Sequence, residues 1–273
     1  RGITPLVGRE KELEILFQAF KRAASGRGEA VSISADAGIG KSRLLYEFRK
    51  AVATEGITFL QGQCSSYAAN TPYHAILDML KDYFGIADAD NAQGMKNKVK
   101  QGLENISADP DEIFPYILDL FSLERDVTFL KDMDPEIKRR KTFEALREIL
   151  LKESQASVLV IIIEDLHWID KTSEECIRFL IEHIAGARVL TIFSFRTHYL
   201  PPWSRISHST QICLNRLSKR ESFEIFKILL DAETVEEDLG GLLVDKTEGV
   251  PLFAEEFIRA LKEAGHVTSV GGL

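Results

Sequence analysis

Eight residues, Ala35-Asp36-Ala37-Gly38-Ile39-Gly40-Lys41-Ser42, combine glycines, a lysine and a hydroxyl at a spacing suited to holding the phosphates of a nucleotide. The apolar run Glu29 to Ser34 precedes them, and Leu44, Leu45, Phe48 and Val52 follow at helical spacing, so they read as the turn between a strand and a helix beginning near Lys41. Gly38 and Gly40 let the backbone curl inward without Cβ clashes, so that successive N–H groups point at phosphate oxygens. The helix start adds its partial positive charge. In such a loop Lys41 reaches the β- and γ-phosphates and the Ser42 hydroxyl takes one position on Mg²⁺. Ala37, Gly38, Ile39, Gly40, Lys41, Ser42 and Arg43 form the expected phosphate-contacting set. The usual pattern opens on glycine; here Ala35 stands in that place, where the strand ends and a methyl group is tolerated.

A second constellation lies at Val158 to Ile163 running into Glu164-Asp165-Leu-His-Trp-Ile-Asp170. Acidic side chains at the end of a buried strand are costly unless something positive is there, and phosphate-bound Mg²⁺ is such a partner. The pattern is that of a Walker B strand: Glu164 holds the metal, directly or through water, and Asp165 orients or activates the attacking water. Glutamate in the first position leaves the division of labour between the two open. Arg196 ends the next apolar strand, in Ser194-Phe195-Arg196, where it could face the γ-phosphate. His167 and Trp168 read as packing residues, and the basic run Lys138 to Lys141 as a solvated helix face.

Elements must position these groups. Five β-like runs, Glu29 to Ala35, Ile57 to Gln63, Val158 to Glu164, Arg188 to Phe195 and Thr210 to Leu214, alternate with helical patterns, which predicts βαβ units around a parallel sheet. VLVIII and VLTIFSF are apolar without alternation, as strands covered on both faces are. Helices show as Leu13, Leu16, Phe17 and Phe20, and as Phe143, Leu146, Ile149 and Leu150. Thr172 with Glu175, and Ser218 with Glu221, have capping-box spacing and predict helix starts near 173 and 219. Between 73 and 134 the pattern is helical, broken at Gly85, Pro110 and Pro135, and is expected to be an insertion between the second and third strands. The expected fold is an α/β P-loop NTPase: a five-stranded, mostly parallel sheet flanked by helices over 1–215, then a small helical lid over 216–273.

Composition narrows the function. A chain of 273 residues with 45% hydrophobic content can bury a large core. The longest apolar stretch, Val158 to Ile163, is far short of the roughly 20 residues of a membrane-spanning helix, so neither membrane partner nor membrane address is expected and the cytoplasm is. Net charge of −8 and a pI near 5.4 argue against direct nucleic-acid binding. Cys64, Cys176 and Cys213 lie far apart with no CxxC spacing and read as reduced core thiols. A start at Arg1 and a Gly-containing tail, His266 to Leu273, suggest a piece of something longer.

With these residues in hand, the chain resembles the signal-transduction branch of AAA-like ATPases known as STAND NTPases, and especially the modules beside class III adenylyl cyclase domains and in large LuxR-type regulators. The likeness rests on Val7-Gly8-Arg9-Glu10, on AGIGKSRLL at Ala37 to Leu45, on EDLHWID at Glu164 to Asp170, and on Gly249-Val250-Pro251-Leu252-Phe253. It implies that Val7, Gly8 and Arg9 line an adenine pocket, that Arg196 is a sensor arginine, and that Pro251 lies against the adenine; a proline in the first helical turn is favoured anyway. It implies ATP or ADP with Mg²⁺ as ligands, an effector domain and helical repeats elsewhere in the parent chain, slow ATP hydrolysis and a switch function, with room for nucleotide-dependent self-association. The rival is a ring-forming AAA+ machine that turns over continuously, for which Arg205 is the candidate inter-subunit arginine. An origin-binding initiator would need a basic winged-helix domain, and a small-molecule kinase an Arg-rich lid; neither is visible. No Asn-Lys-x-Asp guanine-reading motif occurs.

Overall fold

The computed structural model describes residues 6–53, 56–123 and 128–265; Arg1 and the tail His266 to Leu273 lie outside them. The elements run α1 (Glu10–Ala24), β1 (Glu29–Ser34), α2 (Lys41–Val52), β2 (Ile57–Gln63), α3 (His74–Phe84), α4 (Ala92–Asn105), α5 (Pro110–Leu120), α6 (Pro135–Ala156), β3 (Val158–Glu164), α7 (Lys171–His183), β4 (Val189–Phe195), β5 (Ser209–Cys213), α8 (Lys219–Leu230), α9 (Glu237–Thr247) and α10 (Pro251–Glu263). The five expected strands are present, displaced by at most one residue at an end. They form one parallel sheet in the order β2-β3-β4-β1-β5, with Ile57 opposite Val158 through Gln63 opposite Glu164, and Leu159 opposite Val189 through Ile163 opposite Phe193.

Contacts divide the chain into two compact units. The sheet unit comprises residues 18–32 and 53–211. Every residue of β4 and the middle of β3 are buried, which is why neither strand alternates in sequence. Leu159, Ile161 and Ile163 pack in one cluster with Ile76 and Met79 of α3, Leu146 and Ile149 of α6, and Ile177 and Leu180 of α7. Each such side chain contributes about 1.5–3 kcal/mol on full burial. The breaks read between β2 and β3 have identifiable causes. Gly85 closes α3 in a left-handed conformation (φ +63°), and Pro110 and Pro135 open α5 and α6 behind the capping aspartates Asp109 and Asp134.

The start of α7 differs from expectation. Asp170, not Thr172, caps it: the carboxylate accepts from the Ser173 amide at 2.9 Å and from the Ser173 hydroxyl, and Glu175 pairs instead with Arg139 at 2.8 Å. A carboxyl acceptor two residues earlier outcompetes a threonine hydroxyl for the free amides. One thiol also departs from the core reading. Cys64 and Cys176 are buried, but Cys213 is exposed, because β5 is an edge strand with alternating burial.

The second unit, the loop-and-lid unit, comprises residues 1–17, 33–52 and 212–273, of which 6–17, 33–52 and 212–265 are described. Its core is Leu217, Ile225, Phe226, Leu243, Ala254 and Ile258 from α8, α9, α10 and the segment before α8. The capping box at the start of α8 is complete: the Ser218 hydroxyl accepts from the Glu221 amide, and the Glu221 carboxylate accepts from the Ser218 amide at 2.7 Å. The Ser218 hydroxyl, which donates to the Glu221 carboxylate at 2.7 Å, and then the Ser218 amide hold the Glu221 carboxyl below its ordinary range.

Candidate functional site

The phosphate loop belongs to the loop-and-lid unit. β1 ends at Ser34, Ala35 is fully buried and α2 begins at Lys41, so the glycine-bearing turn is short and anchored at both ends. Gly40 lies at φ +107°, where only glycine is unstrained. Gly38 is constrained twice: φ is +77°, and a Cβ there would stand 3.0 Å from a Val250 methyl and 3.1 Å from the Leu252 Cβ. The Lys41 ammonium donates to the carbonyls of Ala35 at 2.9 Å and Asp36 at 3.2 Å. Arg43 turns along α2, paired with Glu47 and with its guanidinium 5.4 Å from the centre of the Tyr46 ring.

The N-terminal motif and the Gly249–Leu252 segment meet this loop. The Leu252 amide donates to the Gly38 carbonyl at 3.2 Å. Pro251 is the first residue of α10, and the Gly249 carbonyl accepts from the Leu217 amide at 2.8 Å. Arg9, 5% exposed, donates from Nη2 to the carbonyls of Ile39 at 3.3 Å and Asn215 at 2.6 Å. Val7 packs against the lid core, and Gly8, at φ +67°, lies so close to Glu221 that a Cβ would come within 2.5 Å of its carboxylate. Three separate stretches of sequence are thus brought into one unit.

The acidic strand end belongs to the sheet unit. Glu164 is the last residue of β3, and its carboxylate accepts from the Gln61 amide group at 3.2 Å. Asp165 follows in a left-handed conformation (φ +58°), which costs a non-glycine residue about 1–2 kcal/mol. Its N–H donates to the hydroxyl of Ser194, a buried residue of β4, at 3.4 Å. A single 3₁₀ turn, Leu166–Trp168, then carries the chain to Asp170, which also accepts from the Tyr73 amide at 3.3 Å. The His167 ring packs on Trp168 and edge-on to His198, in keeping with a packing role. Arg196 is exposed just beyond β4, and Arg205 is exposed before β5. Burial pushes the Cys64 thiol up to about 12, with the Asp170 and Asp165 charges adding to it.

Sequence reasoning missed Gln61 and Ser194, which bond Glu164 and Asp165, and Asp170 as the cap of α7. Of these only Asp170 left a local signal, an acceptor three residues before Ser173. Serine and carboxylate oxygens are the hard donors that magnesium prefers, so Ser42, Glu164 and Asp165 suit that ion chemically.

Residues 5–192, more than half of the 273, match the AAA ATPase domain. The chain belongs to that family. This AAA ATPase domain is also 30% identical over 261 residues to an uncharacterised protein of Rhizobium meliloti (strain 1021), with 92% of the chain aligned. It spans about a quarter (24%) of that relative's length. Among solved structures it is similar to Drosophila ORC bound to DNA (TM-score 0.57, 13% identity, 97% of this chain and 58% of that one). It is similar also to Cdc6p from Pyrobaculum aerophilum (0.53, 14%, 97% and 65%) and to the Walker-type ATPase of Pyrococcus abyssi (0.50, 11%, 97% and 71%). Identities this low establish a shared P-loop ATPase fold and no more. No helix of the AAA ATPase domain among the described residues is long and apolar enough to cross a membrane.

Proposed function

We propose that this AAA ATPase domain is an ATP- and ADP-binding regulatory switch of the STAND type within a larger signalling protein, hydrolysing ATP slowly with Mg²⁺. The observation that carries the reading is the hydrogen bond from the Leu252 amide to the Gly38 carbonyl, which joins the lid segment to the phosphate loop itself. A ligand shifts a conformational equilibrium only through differential affinity for the two states, and a lid bonded to the ligand-holding loop is a direct source of that difference. In this account Lys41 and the amides of Ala37 to Arg43 hold phosphates. Ser42 and Glu164 hold Mg²⁺, Asp165 orients the attacking water, and Arg196 senses the γ-phosphate. Val7 to Arg9 and Pro251 shape the nucleotide pocket. The parent chain would add an effector domain and helical repeats, and the net charge of −8 supports a domain that does not itself bind nucleic acid.

The alternative is a continuously turning-over ring ATPase, favoured by the exposure of Arg205. One experiment separates the two. Freshly purified protein is denatured, the released nucleotide is identified by chromatography, and turnover and assembled mass are measured with ATP. The switch predicts near-stoichiometric ADP and turnover well below about 1 s⁻¹, the low end of ordinary enzymes. Fast turnover with an ATP-dependent, ring-sized mass refutes it.

A further inference from the structure

The one nitrogen of Arg9 that meets the phosphate loop also meets the entry to the lid. Both bonds of its guanidinium to backbone carbonyls, 3.3 Å to Ile39 and 2.6 Å to Asn215, come from Nη2, while Nη1 lies 3.6 Å from the Glu12 carboxylate. Nη2 carries two hydrogens, so these two acceptors use both. At 5% exposure, the guanidinium is turned to the backbone of its own chain.

The consequence for the loop follows from peptide geometry. In a trans peptide the carbonyl and the following N–H point in opposite directions. A bond that draws the Ile39 carbonyl toward Arg9 turns the Gly40 N–H away from it. The Leu252 amide, by holding the Gly38 carbonyl, does the same to the Ile39 N–H. Two successive loop amides, Ile39 and Gly40, are thereby oriented by donors outside the loop, and successive amides in a curled loop make an anion nest.

We propose that Arg9 is a positioning residue for the phosphate loop, fixing the amides that bind phosphate and tying them to Asn215 at the start of the lid segment, rather than a reader of the nucleotide base. The inference rests on the nucleotide-binding reading above. It separates Arg9 from Val7 and Gly8, whose side-chain and backbone contacts are with the lid.

Inorganic tripolyphosphate tests it, because it engages a phosphate nest and carries no base. Dissociation constants for Mg-ATP and Mg-tripolyphosphate are measured for wild type, Arg9→Gln and Arg9→Lys, with the melting temperature of each unliganded protein. Loss of the carbonyl clamp is expected to weaken both ligands by the same factor, about tenfold in Arg9→Gln, whose shorter, neutral side chain falls short of the two carbonyls, and less in Arg9→Lys, which keeps the charge and a longer reach. If Arg9→Gln does not fold, the ratio of the two losses in Arg9→Lys decides. ATP weakened with tripolyphosphate unchanged makes Arg9 a base reader and overturns the proposal. So does a lowered melting temperature with both constants unchanged, which is the mark of a purely structural arginine. Wild-type protein that binds neither ligand refutes the nucleotide reading itself, and this inference with it.

Discussion

Gly249 should be among the least replaceable residues of the lid, and Gly249→Ala puts a number on the contact beneath the phosphate loop. Its φ of +69° lies in the left-handed region, where an L side chain costs about 1–2 kcal/mol. A Cβ there would stand 2.5 Å from the Leu217 carbonyl oxygen and 3.3 Å from the Leu217 nitrogen. These are backbone atoms that cannot rotate away, and Leu217 is bonded to Gly249 through its own amide at 2.8 Å. Relief of the clash therefore separates that pair and gives up a further ~1 kcal/mol. The sum is about 2–3 kcal/mol, or roughly 4–12 °C in melting temperature for a domain of this size. Gly241, in α9 with open space where its Cβ would be, is the control: Gly241→Ala should stabilise by about 0.5–1 kcal/mol. Differential scanning fluorimetry of both variants, with and without ADP, measures the effect. A Gly249→Ala protein melting within about a degree of wild type, or a Gly241→Ala protein falling as far, would refute the reasoning.

Further predictions concern the acidic strand end and the titrating groups. Asp170→Ala removes the acceptor shared by Ser173 and Tyr73 and should cost about 2–3 kcal/mol in urea unfolding; a loss under about 0.5 kcal/mol contradicts the capping role. Asp165→Asn should leave ATP binding intact and slow hydrolysis, whereas lost binding would make Asp165 the main metal residue. Iodoacetamide on native protein near neutral pH should label Cys213 alone, and all three thiols after unfolding; rapid native labelling of Cys64 or Cys176 contradicts their burial. The Cys64 thiol stands at about 12 when folded against an ordinary 9.0, so the unfolded chain releases its proton first as pH rises. Burial raises Tyr83 in the same direction, with Glu153 adding to it. Stability from these groups is therefore full below the unfolded values and falls as pH climbs through the window from 9.0 to about 12. A urea midpoint that rises over that window is the contrary result.

What could be read in the sequence was what short-range physics determines. β3 and β4 were bounded to within a residue because strands buried on both faces show as unbroken apolar runs. The turn between β1 and α2 was legible because its glycines, Gly38 and Gly40, act through their own backbone. Ser218 and Glu221 satisfy each other across one turn, so their spacing sufficed. Thr172 and Glu175 had the same spacing and failed, because Glu175 found Arg139 on α6 and Asp170 offered the better acceptor. Partners supplied from afar left no local trace. Gln61 reaches Glu164 across a sequence gap of 103, Ser194 lies 29 residues beyond Asp165, and Arg9 meets Ile39 across 30. The strand order β2-β3-β4-β1-β5 was equally hidden, since parallel pairing is decided by crossovers that local periodicity does not encode. For the same reason Cys213 was misread as a core thiol, as only the order reveals that β5 is an edge.

The central claim is that the loop from Ala37 to Ser42 holds nucleotide phosphates. Calorimetric titration of wild type and Lys41→Ala with ADP and with Mg-ATP tests it most directly. One saturable site per chain in the wild type is expected. With ligand at about 100 times its dissociation constant, it should stabilise the fold by roughly 2.7 kcal/mol, and Lys41→Ala should abolish that stabilisation. Wild-type protein that shows no saturable binding, or a Lys41→Ala protein that binds and melts as wild type does, would contradict the account.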